Sequence, residues 1–498
     1  MKILSTQQIR EADQYTIKNE PISSIDLMER AASKCTDWLL NNQNHDSYVL
    51  CCGIGNNGGD GLVIARQLFE KGKNIEVIIV EFSENYSDDF QVNLNKLEDK
   101  GIPYKKIKTA NELKWSNQDV LIDALFGSGL SRELEGDLAS VTSVMNTFQG
   151  VKVAIDIPSG LFADKSLEDG ACFNADYTLS FQVYKWAFLQ PENESRVGRV
   201  QILDIGLSQS FIDTCVSDKS LVTKEGISNK LNRRSKYSHK GTFGHVRIVA
   251  GSYGKIGAAL LSAKAACRSG AGLVSAEVPK CAYEIFQTAI PEVMVETNIG
   301  ENKLQGKSKV NEKQVYAIGP GIGMDLKTEL FLEDILENSK KPLVLDADAL
   351  NILSENKSWL SLIPKQSILT PHPKELERLI GKWKNDEEKI NILKEFAVKY
   401  NLVVILKGAH SLIMNSDGSQ FYNSTGNPGM ATGGSGDVLT GMVAAFLAQG
   451  YSSIDSAIIA SYIHGAAGDK ASEKHGELSL VASDIVDNIG QASKQILA

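Results

Sequence analysis

At 498 residues the chain is too long for one ordinary hydrophobic core, so two to four domains are expected, with 42% apolar residues to fill them. Its net charge of −9 is spread along the sequence without a basic stripe, which argues against nucleic acid or an anionic membrane as the main partner. The opening MKILSTQQIREADQYT lacks a charged start followed by an apolar run, and no apolar stretch is long enough to span a bilayer; both predict a soluble, cytoplasmic protein.

From the N-terminus, short β-rich runs alternate with helical patterns: YVLCC, LVIARQLFE, IEVIIVEF, a polar helix, DVLIDALFG and VKVAIDIPSG. This order is that of a parallel sheet with helices on both faces. Two further runs, DYTLSF and RVQILDIGL, extend the sheet, and a polar stretch follows from Ser208 to Lys240. The pattern then restarts with HVRIVAGS, GAALLSAKAACRSG, LVSAEV, VYAIGPGIG, PLVLDADAL, SILTPHPKEL and VVILKGAHSLIM. Each short run ends in Gly, Asp, His or Lys, and in an open α/β sheet such endings converge in the crevice beyond the carboxyl ends of the strands. The chain reads as two α/β domains joined near residue 220.

The seven cysteines, at positions 35, 51, 52, 172, 215, 267 and 281, form no C-x-x-C pair and are too sparse for a disulfide framework. They read as buried thiols, with a reactive role for Cys51 or Cys52 the weaker alternative. The histidines show no zinc-type spacing.

In the first half, GIGNNGGDGLVIARQL (53–68) follows a strand and opens a helix, yet inserts NNGGD where a dinucleotide fingerprint has G-x-x-G. Taken alone, Asn56, Asn57 and Asp60 read as turn formers. Two other strand ends, LIDALFGSGLSRE (121–133) and AIDIPSG (154–160), each put an aspartate beside a glycine turn at the same sheet edge.

In the second half, GPGIG (319–323) suits close approach of backbone to a ligand, or simply a tight turn. DADAL (346–350) places Asp346 and Asp348 at a strand end, either capping the next helix, the favoured reading, or helping to hold Mg²⁺ indirectly. TPHP (370–373) holds His372 between prolines before a helix, aimed at a ligand or simply a surface or capped histidine. KGAHS (407–411) ends a strand with Lys407, a phosphate contact or a solvated lysine. Finally, GNPGMATGGSGDVLTG (426–441) runs glycines into a helix start. There Asp437 either caps the helix or takes a proton from a hydroxyl while the amides of Gly434, Ser435 and Gly436 hold a phosphoryl group.

The motifs of residues 225–498 resemble the ribokinase-like superfamily, in its branch that acts on hydrated nicotinamide coenzymes. Those of residues 1–215, with the leading helix TQQIREADQYT, resemble the hydrated NAD(P)H epimerase domain. The resemblance implies an α/β chain of two domains: a Rossmann-like doubly wound sheet over 1–215 and a ribokinase-like α/β/α sandwich over 216–498. It implies an ADP-dependent dehydratase, working with Mg²⁺ on the S hydrate, behind an epimerase that interconverts R and S hydrates of NADH and NADPH.

Carried over by position, the epimerase substrate would meet Asn56, Asn57, Gly58, Gly59 and Asp60. The loop Gly127, Ser128, Gly129, Leu130, Ser131, Arg132 and Glu133 would join them, with Asp156 as acid or base. Asn57, Asp123 and Ser159 would hold K⁺, a hard cation suited to oxygen ligands. In the dehydratase, Ala258, Gly323, His372 and Asp437 would meet the hydrate, with Asp437 the catalytic base. Lys407, Gly408, Ala409, His410, Ser411 and Gly436 would contact the nucleotide. Ser435 stands where threonine is more usual, a change expected to matter little. Both families imply a homo-oligomer. Two rivals remain open at this stage: a small-molecule kinase in the second domain, since the same turn serves that chemistry, and a non-catalytic binding module in the first.

Overall fold

A computed structural model describes residues 1–43, 45–115 and 118–497. It divides into two compact units, Lys2–Ser217 with Asn385–Glu387, and Met1 with Asp218–Lys384 and Glu388–Ala498.

The first unit holds β1 (Ser47–Cys52), β2 (Asn74–Val80), β3 (Tyr104–Ile107), β4 (Val120–Ala124), β5 (Val151–Ile155), β6 (Tyr177–Phe181) and β7 (Arg199–Leu203). They form one sheet in the order β3-β2-β1-β4-β5-β6-β7, with every pairing parallel. DYTLSF and RVQILDIGL therefore do extend the sheet, as β6 and β7. Side chains alternate across a strand, so both faces of β1 are apolar. Leu50 and Cys52 pack with Leu62, Leu68 and Phe90, whereas Val49 and Cys51 pack with Leu121, Met145 and Phe148. The two adjacent thiols thus point into opposite cores. Burial pushes both well above the ordinary thiol range, which removes the reactive alternative. Strand β1 has β2 on one side and β4 on the other, and that reversal opens a crevice at the carboxyl ends of β1 and β4.

The second unit adds β8 (Lys219–Leu221), β9 (His245–Val249), β10 (Leu273–Val278), β11 (Met294–Thr297), β12 (Val315–Ile318), β13 (Val344–Leu345), β14 (Ile368–Leu369), β15 (Val403–Leu406), β16 (Leu412–Met414) and β17 (Gln420–Tyr422). Their order is β11-β10-β9-β12-β13-β14-β15-β16-β17-β8. All pairings are parallel except β15 with β16 and β16 with β17, so VVILKGAHSLIM is two strands with KGAHS as the turn. The polar stretch from Ser208 to Lys240 carries two short helices, Gln209–Thr214 and Lys224–Lys230, and the edge strand β8.

The helices Ile256–Arg268, Ser435–Ala448, Ser453–His475 and Ala482–Leu497 share one core with Ile248, Ala276, Ala317 and Val403 on one sheet face. Alternate strand residues Val249, Ile318, Leu345 and Val404 are buried as well, so the opposite face is covered and the unit is an α/β/α sandwich. A Cβ on Gly441 would stand 2.0 Å from the Ser262 carbonyl oxygen, so only glycine lets the helices Ile256–Arg268 and Ser435–Ala448 approach this closely. Among the described residues, no helix is long and apolar enough to cross a membrane.

Candidate active sites

In the first unit, NNGGD is not a loop. It is the first turn of the helix Asn56–Glu70, which corrects the turn-former reading of Asn56, Asn57 and Asp60. The turn starts tightly against β1, since a Cβ on Gly58 would lie 1.8 Å from the Gly53 carbonyl oxygen. Beyond it opens a cavity of about 730 Å³ whose wall includes Asn56, Asn57, Asp60, Asp156 and the loop from Gly127 to Arg132. Three candidates sit off that wall. Gly58 and Gly59 pack against Gly53 and Met28, and Glu133 lies exposed beside Gly170.

Asp156 occupies φ +68°, a conformation that non-glycine residues adopt only when their surroundings hold them. Its carboxylate accepts 2.8 Å from the Ser128 amide and 2.7 Å from Lys185 Nζ. Burial pushes this carboxyl up, but the buried Lys185 ammonium and the Ser128 bonds pull harder, leaving it below the ordinary carboxylate range. Lys185 escaped the sequence reading because VYKWAF has no motif around it; its side chain is 1% exposed.

Ser159 is fully buried and donates from Oγ to Asp123 at 2.7 Å and from N at 2.8 Å, while accepting from the Phe126 amide at 2.9 Å. Burial raises the Asp123 carboxyl to about 6. Asn57 is 9% exposed, and neither of its amide atoms has a hydrogen-bond partner. The orphaned Asn57 carboxamide and the Asp123–Ser159 pair supply oxygens of the kind a hard monovalent cation takes.

In the second unit the strand ends meet at the start of the helix Ser435–Ala448. No side chain caps that helix at Gly434, so the Gly436 and Asp437 amides of its first turn are open to an anion, while the Ser435 amide makes a long bond of 3.4 Å to the Thr432 carbonyl. Asp437 does not cap it. Burial and the Asp346 charge raise its carboxyl to about 7, with Lys407 opposing. A Cβ on Gly436 would lie 3.2 Å from Lys407 Nζ, which places a cation beside the same amides.

Lys407 is neither solvated nor free. It donates to Asp346 at 2.9 Å and lies 3.8 Å from Glu375. Asp346 is 1% exposed and its other oxygen accepts from Thr440 at 2.6 Å. The capping reading of Asp346 is thereby overturned: Ala347, at φ +49°, holds the cap position, and Asp346 anchors Lys407. Asp348 begins the helix but accepts from the Gly323 amide at 2.9 Å. With both carboxylates engaged, a magnesium ion fits here only as part of a metal–nucleotide complex, held by phosphate oxygens and water.

Ala258, in the first turn of its helix, abuts the GPGIG loop, where a Cβ on Gly321 would sit 3.4 Å from it. His372 is itself the N-cap of the helix Pro373–Ile380, its Nδ1 accepting from the Lys374 and Glu375 amides at 3.1 and 3.3 Å, a role the sequence reading did not give it. Gly408 and Ala409 are exposed in the β15–β16 turn, which the Ser411 hydroxyl closes on the Gly408 carbonyl at 3.1 Å. His410 donates from Nδ1 to the Asn423 carbonyl.

One residue of this site had no sequence signal. His464, on the helix Ser453–His475, donates from Nε2 to the Ser435 carbonyl at 3.0 Å, and burial lowers it to about 4, so it is neutral. It fixes the peptide ahead of Gly436 from behind.

A family model described as NAD(P)H-hydrate dehydratase matches residues 246–491, and one described as YjeF-related protein N-terminus matches residues 24–187. A bifunctional NAD(P)H-hydrate repair enzyme from Moorella thermoacetica is 34% identical, over 98% of this chain and 96% of its own. Its counterpart from Coxiella burnetii is 33% identical, over 98% of each. An ADP/ATP-dependent NAD(P)H-hydrate dehydratase from Bacillus subtilis, co-crystallised with ATP and Mg²⁺, is 28% identical over 56% of this chain and 98% of its own, with a TM-score of 0.48.

Proposed function

The chain belongs to the family of bifunctional NAD(P)H-hydrate repair enzymes, and from that premise we propose that it restores hydrated NADH and NADPH in two steps. The first unit interconverts the R and S hydrates. The second dehydrates the S hydrate using ADP and releases AMP and phosphate.

The observation that carries this reading is Asp437 standing beside open helix amides and the half-buried Lys407. Its carboxylate takes the proton of the ring hydroxyl, whose oxygen attacks the terminal phosphorus of ADP as AMP leaves. The amides at Gly434, Ser435 and Gly436 receive the transferring phosphoryl group, and Lys407 adds positive charge beside them. Phosphate then departs from the ring carbon as the neighbouring carbon loses a proton, and the double bond forms. Ala258, Gly323 and His372 border the hydrate, and residues 407–411 with Gly436 take the nucleotide, its phosphates carrying Mg²⁺.

In the first unit Asp156, ionised by Lys185, is the base, and the hydrate lies along residues 56–60 and 127–133. Asn57, Asp123 and Ser159 would hold K⁺, which supplies fixed positive charge at the loop ends. A homo-oligomer in the cytoplasm completes the proposal. The test incubates purified protein with mixed R and S hydrated NADPH, Mg²⁺ and ADP or ATP, following the near-ultraviolet absorbance of the reduced ring. Full recovery with ADP supports both activities. A halt at the S fraction removes the epimerase, and a stable phosphorylated product would assign a kinase instead.

A further inference from the structure

The helix Thr6–Asn19 precedes the residues that the N-terminal family model matches, yet it forms part of the cavity wall. Arg10, Asp13, Gln14 and Ile17 line the cavity, a spacing that places them on one helical face. A capping box fixes the start of that helix: Ser5 Oγ accepts from the Gln8 amide at 3.2 Å, and Gln8 Oε1 from the Ser5 amide at 3.0 Å. Arg10 closes on the substrate loop, where a Cβ on Gly129 would stand 2.8 Å from its Nη2. Among the described residues, the Asp13 carboxyl receives no hydrogen bond and no ion pair, and nothing in the fold accounts for it there. The buried and equally unpartnered amide of Asn57 lines the same cavity.

Resting on the reading of this cavity as the epimerisation site, we propose that Asp13 is its second catalytic group, the acid that works with Asp156 as base. The hydrated ring is a hemiaminal, and its opening needs two proton transfers. Asp156 takes the hydroxyl proton as the C6–O bond becomes a carbonyl. The C6–N1 pair returns to nitrogen, which receives the proton of Asp13. After rotation of the aldehyde, N1 attacks its other face, Asp13 recovers its proton, and Asp156 returns the other to oxygen. Atoms and charges balance, and both carboxyls end as they began.

The surroundings separate the two roles. Burial, then the Asp156 charge, raises Asp13 to about 7, while Lys185 keeps Asp156 ionised. Asp60 also lines the cavity, where burial, then Asp156, Asp13 and Asp89, raises its carboxyl well above the ordinary range. The titratable and charged groups around Asp13 are thus Asp60, Asp89, Asp156 and Lys185, with Arg10 on its own helix and Arg132 on the substrate loop.

The test uses the full chain without nucleotide, starting from one pure hydrate and measuring the R-to-S ratio by chromatography against the uncatalysed rate. Wild-type protein should epimerise, its kcat falling as pH rises through about 7. Asp13→Asn should lower kcat about 100-fold or more with KM little changed and lose that pH limb, while Asp13→Glu keeps most of the rate. The Asp13→Asn unfolding midpoint should not fall, since a carboxyl that resists ionisation has been removed. A near-normal rate in Asp13→Asn, or a raised KM with kcat kept, overturns the proposal while the epimerase reading stands. A wild-type chain that does not epimerise overturns both.

Discussion

Lys407 Nζ lies 2.9 Å from Asp346 Oδ1, and Thr440 bonds the other oxygen of that carboxylate, so the cation beside Gly436 is locked from the protein side. Asp346 is buried and Lys407 half-buried, and removing the lysine's partner leaves its charge uncompensated. Asp346→Asn is expected to cost about 3–5 kcal/mol and to lower the dehydration kcat at least tenfold, because the ammonium is freed to move from the proposed phosphoryl site. Thr440→Val, which removes only a hydrogen bond to a charged group, should cost about 1.5–3 kcal/mol. The urea midpoint of the transition that tracks dehydration activity measures both.

As the proposed base, Asp437 would work only when ionised, and its surroundings raise it to about 7. Dehydration should therefore rise with pH through about 7, opposite to the epimerisation limb assigned to Asp13. A raised carboxyl binds its proton more tightly folded than unfolded, so it removes stability as pH climbs from 3.8 to about 7. Asp437→Asn should abolish turnover and yet stabilise the second unit at pH 8 by about 1–3 kcal/mol, with no gain below pH 4. Urea unfolding at the two pH values decides. Equal midpoints at pH 8 would mean that the carboxyl ionises freely, as a solvated group does.

The 2.7 Å bond from Lys185 to Asp156 makes the opposite case, a carboxyl held below its ordinary range. In Lys185→Met the burial that already pushes Asp156 up acts unopposed by that ammonium. Epimerisation should fall at neutral pH, and what remains should move to higher pH. Asp156→Ala should remove epimerisation altogether and leave dehydration of the pure S hydrate intact. A pH profile unchanged in Lys185→Met would free Asp156 from the role of base.

Strand ends were legible in the sequence because parallel strands are apolar on both faces and stop abruptly at glycine or aspartate. That rule located Gly53, Asp123, Asp156, Gly319, Asp346 and Lys407 at the crevices. It said nothing of three-residue strands such as β8 and β17, too short to show a period, nor of β3, whose YKKI carries two exposed lysines. Partners were the other blind spot. Lys185 and His464 make their contacts across the fold, and Asp13 meets only the cavity it lines; a lone polar residue in a helix or polar run carries no mark of either. Asp346 was read as a helix cap because its neighbours in sequence suggested one; its neighbour in space, Lys407, lies 61 positions away.

Gly441 tests whether the close helix pair matters to chemistry that it never touches. The helix Ile256–Arg268 carries Ala258 at one end of the proposed substrate site, and the helix Ser435–Ala448 carries Asp437; Ser262 Oγ ties them by donating to the Asp437 carbonyl at 2.9 Å. A methyl at Gly441 would meet the Ser262 carbonyl at 2.0 Å, and backbone cannot step aside as a flexible side chain can. The helices must separate, taking Asp437 away from Ala258. Gly441→Ala should cost about 1–3 kcal/mol by overpacking and lower the dehydration kcat at least tenfold. Gly490 supplies the control, being exposed in the helix Ala482–Leu497 with open space where its Cβ would go. Gly490→Ala should stabilise by about 0.5–1 kcal/mol through helix propensity and leave kcat unchanged. A Gly441→Ala enzyme with normal kcat would show that the spacing of these two helices does not set the geometry around Asp437.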